Sequence, residues 1–370
     1  MYGLCLSDPH PDRAGDGSPK RTLSAARFGG RYRLVDFVLS NMVNSKIYSI
    51  GMVLNSHYQS LIDHIGMGKD WDLARKTGGV RFFPPYLADE RKSVNSEIDG
   101  PLQRAADYIA EARVEYIVLA DSSVVYNIDY RLAVEAHKRF GADITAIYTK
   151  KRIGPSEREA SVVFDISESG RIDNVSIGQY TMESQNVSLG AYIMSKKILI
   201  QLIAAEKNCG MQRFSGTLIA NALERFRVMG YEFRGYSAHI NSIDTFFYHN
   251  MEMLDSEKRN SLFDFEGRCI FTNRRDSLPA RYGRNADVKN SLIADGCIID
   301  GVVENSIICR NVKVAPGAII KNCIIQDDTV IEKSVSLDCV ITDRFVTITE
   351  NRNMVGSRTY PIYIDINRVI

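Results

Sequence analysis

The chain has 370 residues, 45% of them hydrophobic and 25% charged, which suggests two domains with enough chain for a sizeable core. The net charge is +1 at pH 7, so the overall balance favours neither nucleic acid nor a membrane surface as a partner. The seven cysteines form no Cys-x-x-Cys pair, a pattern typical of buried thiols in a reducing compartment. No apolar run could span a bilayer and Met1-Tyr2-Gly3 lacks signal-peptide features, so we expect a cytoplasmic protein.

Up to about residue 250, apolar β-branched runs alternate with helical patterns, which predicts a mostly parallel sheet wrapped by crossover helices. The predicted strands are Tyr2 to Leu6, Ile50 to Leu54, Tyr116 to Ala120, Ile144 to Tyr148, Ser161 to Ile166 and Ala191 to Met194. The predicted helices lie near Leu34 to Ser45, Gln59 to Ile65, Leu102 to Ala112, Tyr130 to Phe140, Lys196 to Ala205 and Thr217 to Met229. The first part of the chain is therefore predicted to be an α/β domain.

The last part of the chain has a different pattern, in which apolar residues recur every six positions. Examples are Ile293 and Ile299, then Ile308, Val314 and Ile320, then Ile325, Ile331 and Leu337, with Gly296, Gly301 and Gly317 at turns. This repeat predicts one strand per face of a left-handed parallel β-helix. An antiparallel sandwich is the alternative, but simple alternation does not give a six-residue repeat. We predict domains at 1–260 and 285–370, joined by a connector at 261–284.

The most distinctive segment is Phe28-Gly29-Gly30-Arg31-Tyr32-Arg33-Leu34-Val35-Asp36-Phe37-Val38-Leu39-Ser40-Asn41. It resembles the segment after the phosphate loop of bacterial glucose-1-phosphate adenylyltransferases, which transfer AMP from ATP to glucose 1-phosphate using Mg²⁺. Members of that family also end in a left-handed β-helix, so the resemblance covers nearly the whole chain. It implies a Rossmann-like, GT-A-like nucleotidyltransferase domain followed by the β-helix.

The phosphate loop expected from this resemblance is altered. Active members have a glycine-rich turn whose backbone N–H groups close on the triphosphate. Here the first strand leads into Ser7-Asp8-Pro9-His10-Pro11-Asp12-Arg13, in which the prolines remove donors and the aspartates repel phosphate. Gly15 and Gly17 could form a shifted loop, but Ala-Gly-Asp-Gly-Ser-Pro is more simply a flexible turn.

The two magnesium carboxylates of the family are replaced. Aligning Tyr126 and Asp129-Tyr130 with the family's Gly-Asp-His-x-Tyr-x-x-Asp-Tyr pattern puts Ser123 at the first metal position. The aspartate that precedes the family's Val-Gly-Thr turn is replaced by His239. A hydroxyl and a single histidine are poor Mg²⁺ ligands. Asp121 could substitute if the turn were shifted by two residues; otherwise it is an ordinary turn residue.

Positions that contact the substrates in the family are also altered. Leu23 or Ser24 stands where the family has a lysine, and Val175-Ser176-Ile177-Gly178-Gln179 replaces its Phe-x-Glu-Lys-Pro motif. The degenerate positions are therefore Leu23, Ser123, Gly178 and His239. With neither metal ligands nor phosphate-binding cations, the pocket has little means of stabilising the transition state. We expect no catalytic residue, metal or cofactor in this chain, with Mg²⁺ only in a catalytic partner.

A cluster of basic residues remains. Lys20, Arg21, Arg27 and Arg33 resemble the positions with which active members bind phosphorylated effectors between the two domains, and guanidinium groups suit phosphate. The alternative is a solvated basic loop, in which Lys20 and Arg21 pair with Asp12 or Asp16.

A copy of the enzyme that has lost its catalytic groups is most useful beside a catalytically competent copy. The chain resembles the non-catalytic, regulatory-type subunits of this family in Gram-positive bacteria, which implies a heterotetramer with a catalytic glucose-1-phosphate adenylyltransferase subunit and regulation by phosphorylated metabolites. One alternative is a weak nucleotidyltransferase using Asp121, Asp36 or Asp244 as metal ligands. Another is a metabolite sensor without an enzyme partner. A sugar-phosphate acyltransferase is disfavoured, because residues 281–370 contain no histidine as a base.

Overall fold

The first strand, β1 (Tyr2–Leu6), shows why the sheet has helices on both faces. Tyr2, Leu4 and Leu6 are buried in one hydrophobic cluster and Cys5 in another, because successive side chains of a strand point to opposite faces. The computed structural model describes residues 1–7, 22–55, 57–85, 96–154, 157, 161–178, 181, 183–205, 214–274 and 276–370. In this part of the chain, no helix is both long and apolar enough to cross a membrane.

Among the described residues, the N-terminal domain has a nine-stranded sheet. Besides β1 it contains β4 (Ser49–Val53), β5 (Gly79–Phe83), β6 (Tyr116–Asp121), β8 (Ile144–Lys151), β9 (Val162–Ile166), β10 (Ile172–Ile177), β11 (Gln185–Ser195) and β12 (Val228–Glu232). The strand order is β10-β9-β11-β6-β1-β4-β5, with β8 lying between β11 and β12. Two small pairs join β2 (Arg27–Phe28) to β3 (Tyr32–Arg33) and β7 (Val124–Tyr126) to β13 (Ser237–His239).

Helices cover both faces of this sheet. One face packs against α3 (Ser96–Glu111), α5 (Lys196–Ala205) and α6 (Phe214–Ala222), and the other against α1 (Leu34–Asn44), α2 (Gln59–Ile65) and α4 (Tyr130–Phe140). The helices α7 (Ile243–Glu252) and α8 (Ser256–Phe263) instead contribute to a hydrophobic cluster shared with the β-helix. There are 3-10 turns at Leu23–Ala25 and Lys69–Trp71. Local sequence fixes several ends: Asp129 accepts the Arg131 N–H to cap α4, and Ser242 accepts the Thr245 N–H to cap α7.

The α/β prediction is confirmed, with two differences of detail. The predicted sheet was mostly parallel, whereas the observed sheet is mixed, since β11 runs antiparallel to β6 and β8. The predicted helix from Thr217 to Met229 is wrong in its second half. Val228 and Met229 lie in β12, where Val228 pairs in parallel with Ile144, so sheet pairing overrides the apolar helical pattern.

The C-terminal β-helix has three stacks of parallel strands. One stack contains β14 (Arg281–Tyr282), β17 (Ile298–Ile299), β20 (Lys313–Val314), β23 (Val330–Ile331) and β26 (Thr347–Ile348). The second contains β15 (Asp287–Lys289), β18 (Val302–Glu304), β21 (Ile319–Lys321), β24 (Ser336–Asp338) and β27 (Asn353–Val355). The third contains β16 (Leu292–Ile293), β19 (Ile307–Ile308), β22 (Ile324–Ile325), β25 (Val340–Thr342) and β28 (Ile362–Ile364).

The six-residue repeat corresponds to successive faces of this helix. Ile308, Val314 and Ile320 are buried and lie in β19, β20 and β21, one in each stack. Fully burying an aliphatic side chain of this size contributes about 1.5–3 kcal/mol. The prediction of a β-helix is therefore confirmed. Its first strand, β14, begins at Arg281, before the predicted boundary at 285.

The two domains share a hydrophobic cluster. Phe28 and Phe37 of the N-terminal domain belong to the same buried cluster as Ile324 and Ile341 of the β-helix. Gly30 has a φ of +78°, and an added Cβ would lie 3.2 Å from Cγ2 of Ile307. The Gly29-Gly30 turn therefore packs directly against the β-helix.

Candidate functional site

Ser123 and His239 lie side by side although 116 positions separate them in the sequence. Strands β7 and β13 pair antiparallel, with Val124 opposite His239, and the Ile240 N–H donates to the Ser123 carbonyl over 3.0 Å. The fold thus brings together the two positions that the family resemblance assigns to metal carboxylates. We call this place the transfer site.

His239 is held as a neutral imidazole. Its Nε2 lies 2.7 Å from the Ser188 carbonyl oxygen, to which it donates, and its Nδ1 faces the Lys151 Nζ at 3.5 Å. Burial, and then the Lys151 ammonium, lower the pKa of His239 to about 3. A cation thus lies beside a residue that stands where the family has an anionic ligand.

Lys151 begins a chain of charged groups. Its Nζ lies 2.8 Å from Oε1 of Glu157, and the same oxygen lies 3.1 Å from Nε2 of His249. Nδ1 of His249 lies 2.8 Å from Oε2 of Glu252, which also pairs with Lys258. This chain of charged groups connects the end of β8 to helices α7 and α8.

Alternating charges set the protonation of the side chains in this chain of charged groups. Burial alone would raise the pKa of Glu157, but the hydrogen bond from His249 and the Lys151 charge hold it well below its usual range. Burial alone would lower the pKa of His249, yet its hydrogen bonds to Glu157 and Glu252 raise it. Both ring nitrogens of His249 face carboxylate oxygens, which favours the imidazolium form.

The residues of the transfer site do not fit Mg²⁺. That ion prefers carboxylate oxygens in octahedral geometry, whereas Ser123 offers a hydroxyl and the free nitrogen of His239 faces an ammonium. Across the described ranges, no three or more His, Cys, Asp or Glu side chains are grouped so as to hold a metal.

The three alternative metal ligands have different surroundings. Asp121 is 4% exposed, accepts the Ser123 N–H at 2.7 Å, and packs beneath Gly190, whose added Cβ would lie 2.8 Å from the Asp121 Cβ. Asp36 accepts the Arg33 N–H and contacts Nε2 of His64 at 2.6 Å. Asp244 lies in the first turn of α7. Of the three, Asp121 lies in the segment next to Ser123.

The other degenerate positions are more scattered. Leu23 begins a 3-10 turn in which the next residue, Ser24, contacts Oγ of Ser122 at 2.7 Å, so this turn adjoins the transfer site. Gly178 follows β10, and its N–H donates to Ser161. In the sheet order, β10 lies three strands away from β6, which ends at Asp121 just before Ser123.

Two of the four predicted effector residues are buried within the fold. Arg27 is 2% exposed and forms an ion pair with Asp327 of the β-helix. Arg33 is 3% exposed and donates to the carbonyl and hydroxyl oxygens of Ser60 at 2.7 and 3.2 Å. Lys20 and Arg21 lie outside the described residues. For Arg27 and Arg33, binding a phosphate requires these internal contacts to be exchanged.

Sequence reasoning missed Lys151, Glu157, His249 and Glu252. Lys151 lies 88 positions from His239, and Glu157 lies 92 positions from His249. No motif of fixed spacing connects them. The one local signal is the pair His249 and Glu252, which are three residues apart on one helix face.

Comparison with known proteins agrees with the two-domain architecture. A nucleotidyl transferase family model matches residues 19–254, and a GlmU-like C-terminal hexapeptide model matches residues 278–359. These two matches correspond to the sheet domain and the β-helix. Together with the paired positions of Ser123 and His239, they define the class as nucleotidyl transferases with a hexapeptide-repeat domain.

Individual relatives narrow the class. The chain is 33% identical over 369 residues to the glycogen biosynthesis protein GlgD of Bacillus subtilis, covering 98% of this chain and 95% of the relative. It is 31% identical over 336 residues to a glucose-1-phosphate adenylyltransferase of Clostridium perfringens strain 13, covering 90% and 84%. A GlgD protein of Geobacillus stearothermophilus is 33% identical over 305 residues, covering 81% and 77%. The chain belongs to this family of GlgD proteins and glucose-1-phosphate adenylyltransferases.

Proposed function

We propose that this chain is a non-catalytic regulatory subunit of a glucose-1-phosphate adenylyltransferase that acts in glycogen biosynthesis. The observation that carries the proposal is the arrangement of Ser123, His239 and Lys151. Nucleotidyl transfer gathers negative charge on the phosphates, and such enzymes stabilise it with Mg²⁺ held by carboxylates. Here a hydroxyl and a neutral imidazole replace the carboxylates, and an ammonium lies beside the imidazole.

The proposed partner is a catalytic glucose-1-phosphate adenylyltransferase subunit, in a heterotetramer. The relatives named GlgD and glucose-1-phosphate adenylyltransferase support this pairing. A chain without its own chemistry acts by shifting the partner towards its active state, which requires tighter contacts with that state than with the inactive one. Mg²⁺ is then needed by the partner alone.

Phosphorylated metabolites are the proposed effectors. Lys20 and Arg21 are their proposed ligands, with Arg27 and Arg33 joining once their contacts with Asp327 and Ser60 are released. A guanidinium group can bind two phosphate oxygens at once. Because Asp327 belongs to the β-helix, exchanging its contact with Arg27 for a phosphate would connect effector binding to the domain interface.

The test measures ADP-glucose synthesis by this chain alone, by the catalytic subunit alone, and by the two mixed, each with ATP, glucose 1-phosphate and Mg²⁺. We expect no turnover from this chain alone and a higher rate or affinity in the mixture. Turnover by this chain alone that is lost in Asp121→Ala would instead establish the weak nucleotidyltransferase. Failure of the two chains to co-purify, with unchanged kinetics in the mixture, would favour the solitary sensor.

A further inference from the structure

A cleft lies between helices α7 and α8 and one corner of the β-helix. Its volume is about 810 Å³, and neither Ser123 nor His239 lines it. Ligand sites commonly occupy clefts of roughly 300–1,000 Å³ and often lie between domains. The cleft is therefore large enough for a ligand of several rings, at a place that the transfer chemistry does not use.

One wall of the cleft is a column of asparagines. Asn290, Asn305 and Asn322 occupy the same corner of three successive coils, each with a left-handed φ of 42° to 50°. Nδ2 of Asn290 donates to Oδ1 of Asn305 at 2.8 Å. Adjacent coils are about 4.8 Å apart, so the column presents regularly spaced amides. Each amide both donates and accepts hydrogen bonds, as hydroxyl groups do.

The opposite wall is partly apolar. It contains Tyr248, which is 58% exposed, together with the half-buried Met251 and Leu254. An exposed aromatic ring next to aliphatic side chains gives a flat apolar surface with a polar hydroxyl at its edge. Such a surface can pack against the C–H face of a sugar ring, while the ring's hydroxyls reach the amides across the cleft.

The charges of the cleft balance. Lys258 pairs with Glu252, and the remaining charged side chains of the lining are Arg358 and Asp255. Nη2 of Arg358 lies 3.5 Å from Oδ1 of Asn322. Phosphate or nucleotide binding depends on an excess of positive charge, which this lining lacks. A neutral ligand rich in hydroxyl groups is the better match.

We propose that this cleft binds a neutral oligosaccharide. Tyr248 stacks on one sugar ring, and Asn305 and Arg358 hydrogen-bond to its hydroxyls. The inference rests on the lining of the cleft and does not require the regulatory function proposed above. Only the choice of an α-glucan as the first probe follows from the name of the GlgD relatives.

The test is isothermal titration calorimetry of the full chain with maltoheptaose, with cellohexaose, ATP and inorganic phosphate as parallel probes. We expect maltoheptaose to bind, Tyr248→Ala to weaken binding at least tenfold, and Asn305→Ala to weaken it several-fold. Tyr282→Ala is the matched control, because Tyr282 is 53% exposed and does not line the cleft. Circular dichroism checks that each variant is folded.

Three results would overturn the proposal: no binding of either oligosaccharide, binding that Tyr248→Ala leaves unchanged, or phosphate binding that is lost in Arg358→Ala. Binding of cellohexaose but not maltoheptaose would support the oligosaccharide site and reject the α-glucan. All these measurements use this chain alone. If these binding measurements fail, the proposed activation of a catalytic partner is unaffected, because a separate experiment tests it.

Discussion

Arg27 and Asp327 form an ion pair buried between the two domains although 300 positions separate them. Arg27 lies just before the distinctive segment, which begins at Phe28, and Asp327 lies in the β-helix, where its Oδ1 also accepts the backbone N–H of Arg310 at 3.2 Å. Their side chains are 2% and 1% exposed. Arg27, the residue next to the distinctive segment, therefore joins the two domains.

Removing one member of this pair should destabilise the protein. Asp327→Asn leaves the buried Arg27 guanidinium without a compensating charge, for which we expect a loss of about 3 kcal/mol in the free energy of unfolding. Urea denaturation measures it. The control is Glu232→Gln, because its partner Arg234 is 83% exposed and exposed pairs contribute little. Equal losses in the two variants would contradict this role for Asp327.

The Gly29-Gly30 turn provides a paired test of domain packing. Both glycines have positive φ, at +59° and +78°, so alanine at either position costs about 1 kcal/mol of backbone strain. Only at Gly30 would the added methyl group also meet the β-helix, 3.2 Å from Ile307, whereas nothing lies within 4 Å at Gly29. We expect Gly30→Ala to lower the melting temperature more than Gly29→Ala. The reverse order would show that the turn does not pack as described.

The charged chain around His249 should make stability depend on pH. The pKa of His249 is raised, so its contribution is fully present below about pH 6.5, the usual histidine value, and is lost as the pH rises through the raised value. The carboxyl pKa of Glu252 is lowered to about 2 despite its burial, through the hydrogen bonds from His249 and Lys258. Its contribution is present above about pH 4.3 and is lost as the pH falls towards 2.

These opposite dependences place the largest contribution of the two groups between about pH 4.3 and 6.5. His249→Gln should remove the fall in stability above pH 6.5, which urea denaturation at several pH values measures. His57→Asn is the control, since His57 is an exposed turn residue with a φ of +56°, where asparagine is tolerated. An unchanged pH profile in His249→Gln would contradict the imidazolium assignment.

The β-helix could be predicted from sequence because its rule is local: Ile308, Val314 and Ile320 each fill one face of a coil, six residues apart. The true end of the helix that was predicted to run to Met229 could not be predicted from sequence, because the pairing of Val228 with Ile144 decides where the helix ends. Such long-range pairing is absent from any short window of sequence.

Prediction of the transfer site from sequence is limited in the same way by long-range contacts. Ser123 and His239 were identifiable because family motifs mark them, and in the structure Ser123 directly precedes β7, which pairs with the strand that carries His239. Sequence could not identify the Lys151 ammonium beside His239 or the Asp327 carboxylate beside Arg27, since tertiary packing alone brings these charges together. Arg27 was predicted to be an effector ligand from the family resemblance, and nothing near it in the sequence indicates its distant carboxylate partner.

The function proposed above depends on a neutral His239 and the Lys151 ammonium standing where catalytic members of the family hold a metal. Titration with Mn²⁺, followed by electron paramagnetic resonance, tests it most directly in the native chain, in the Ser123→Asp, His239→Asp double variant and in Asp121→Ala. We expect no stoichiometric Mn²⁺ binding by the native chain and a gain of binding in the double variant, which places one carboxylate at the end of β13 and another just before β7. Stoichiometric binding by the native chain that disappears in Asp121→Ala would contradict it.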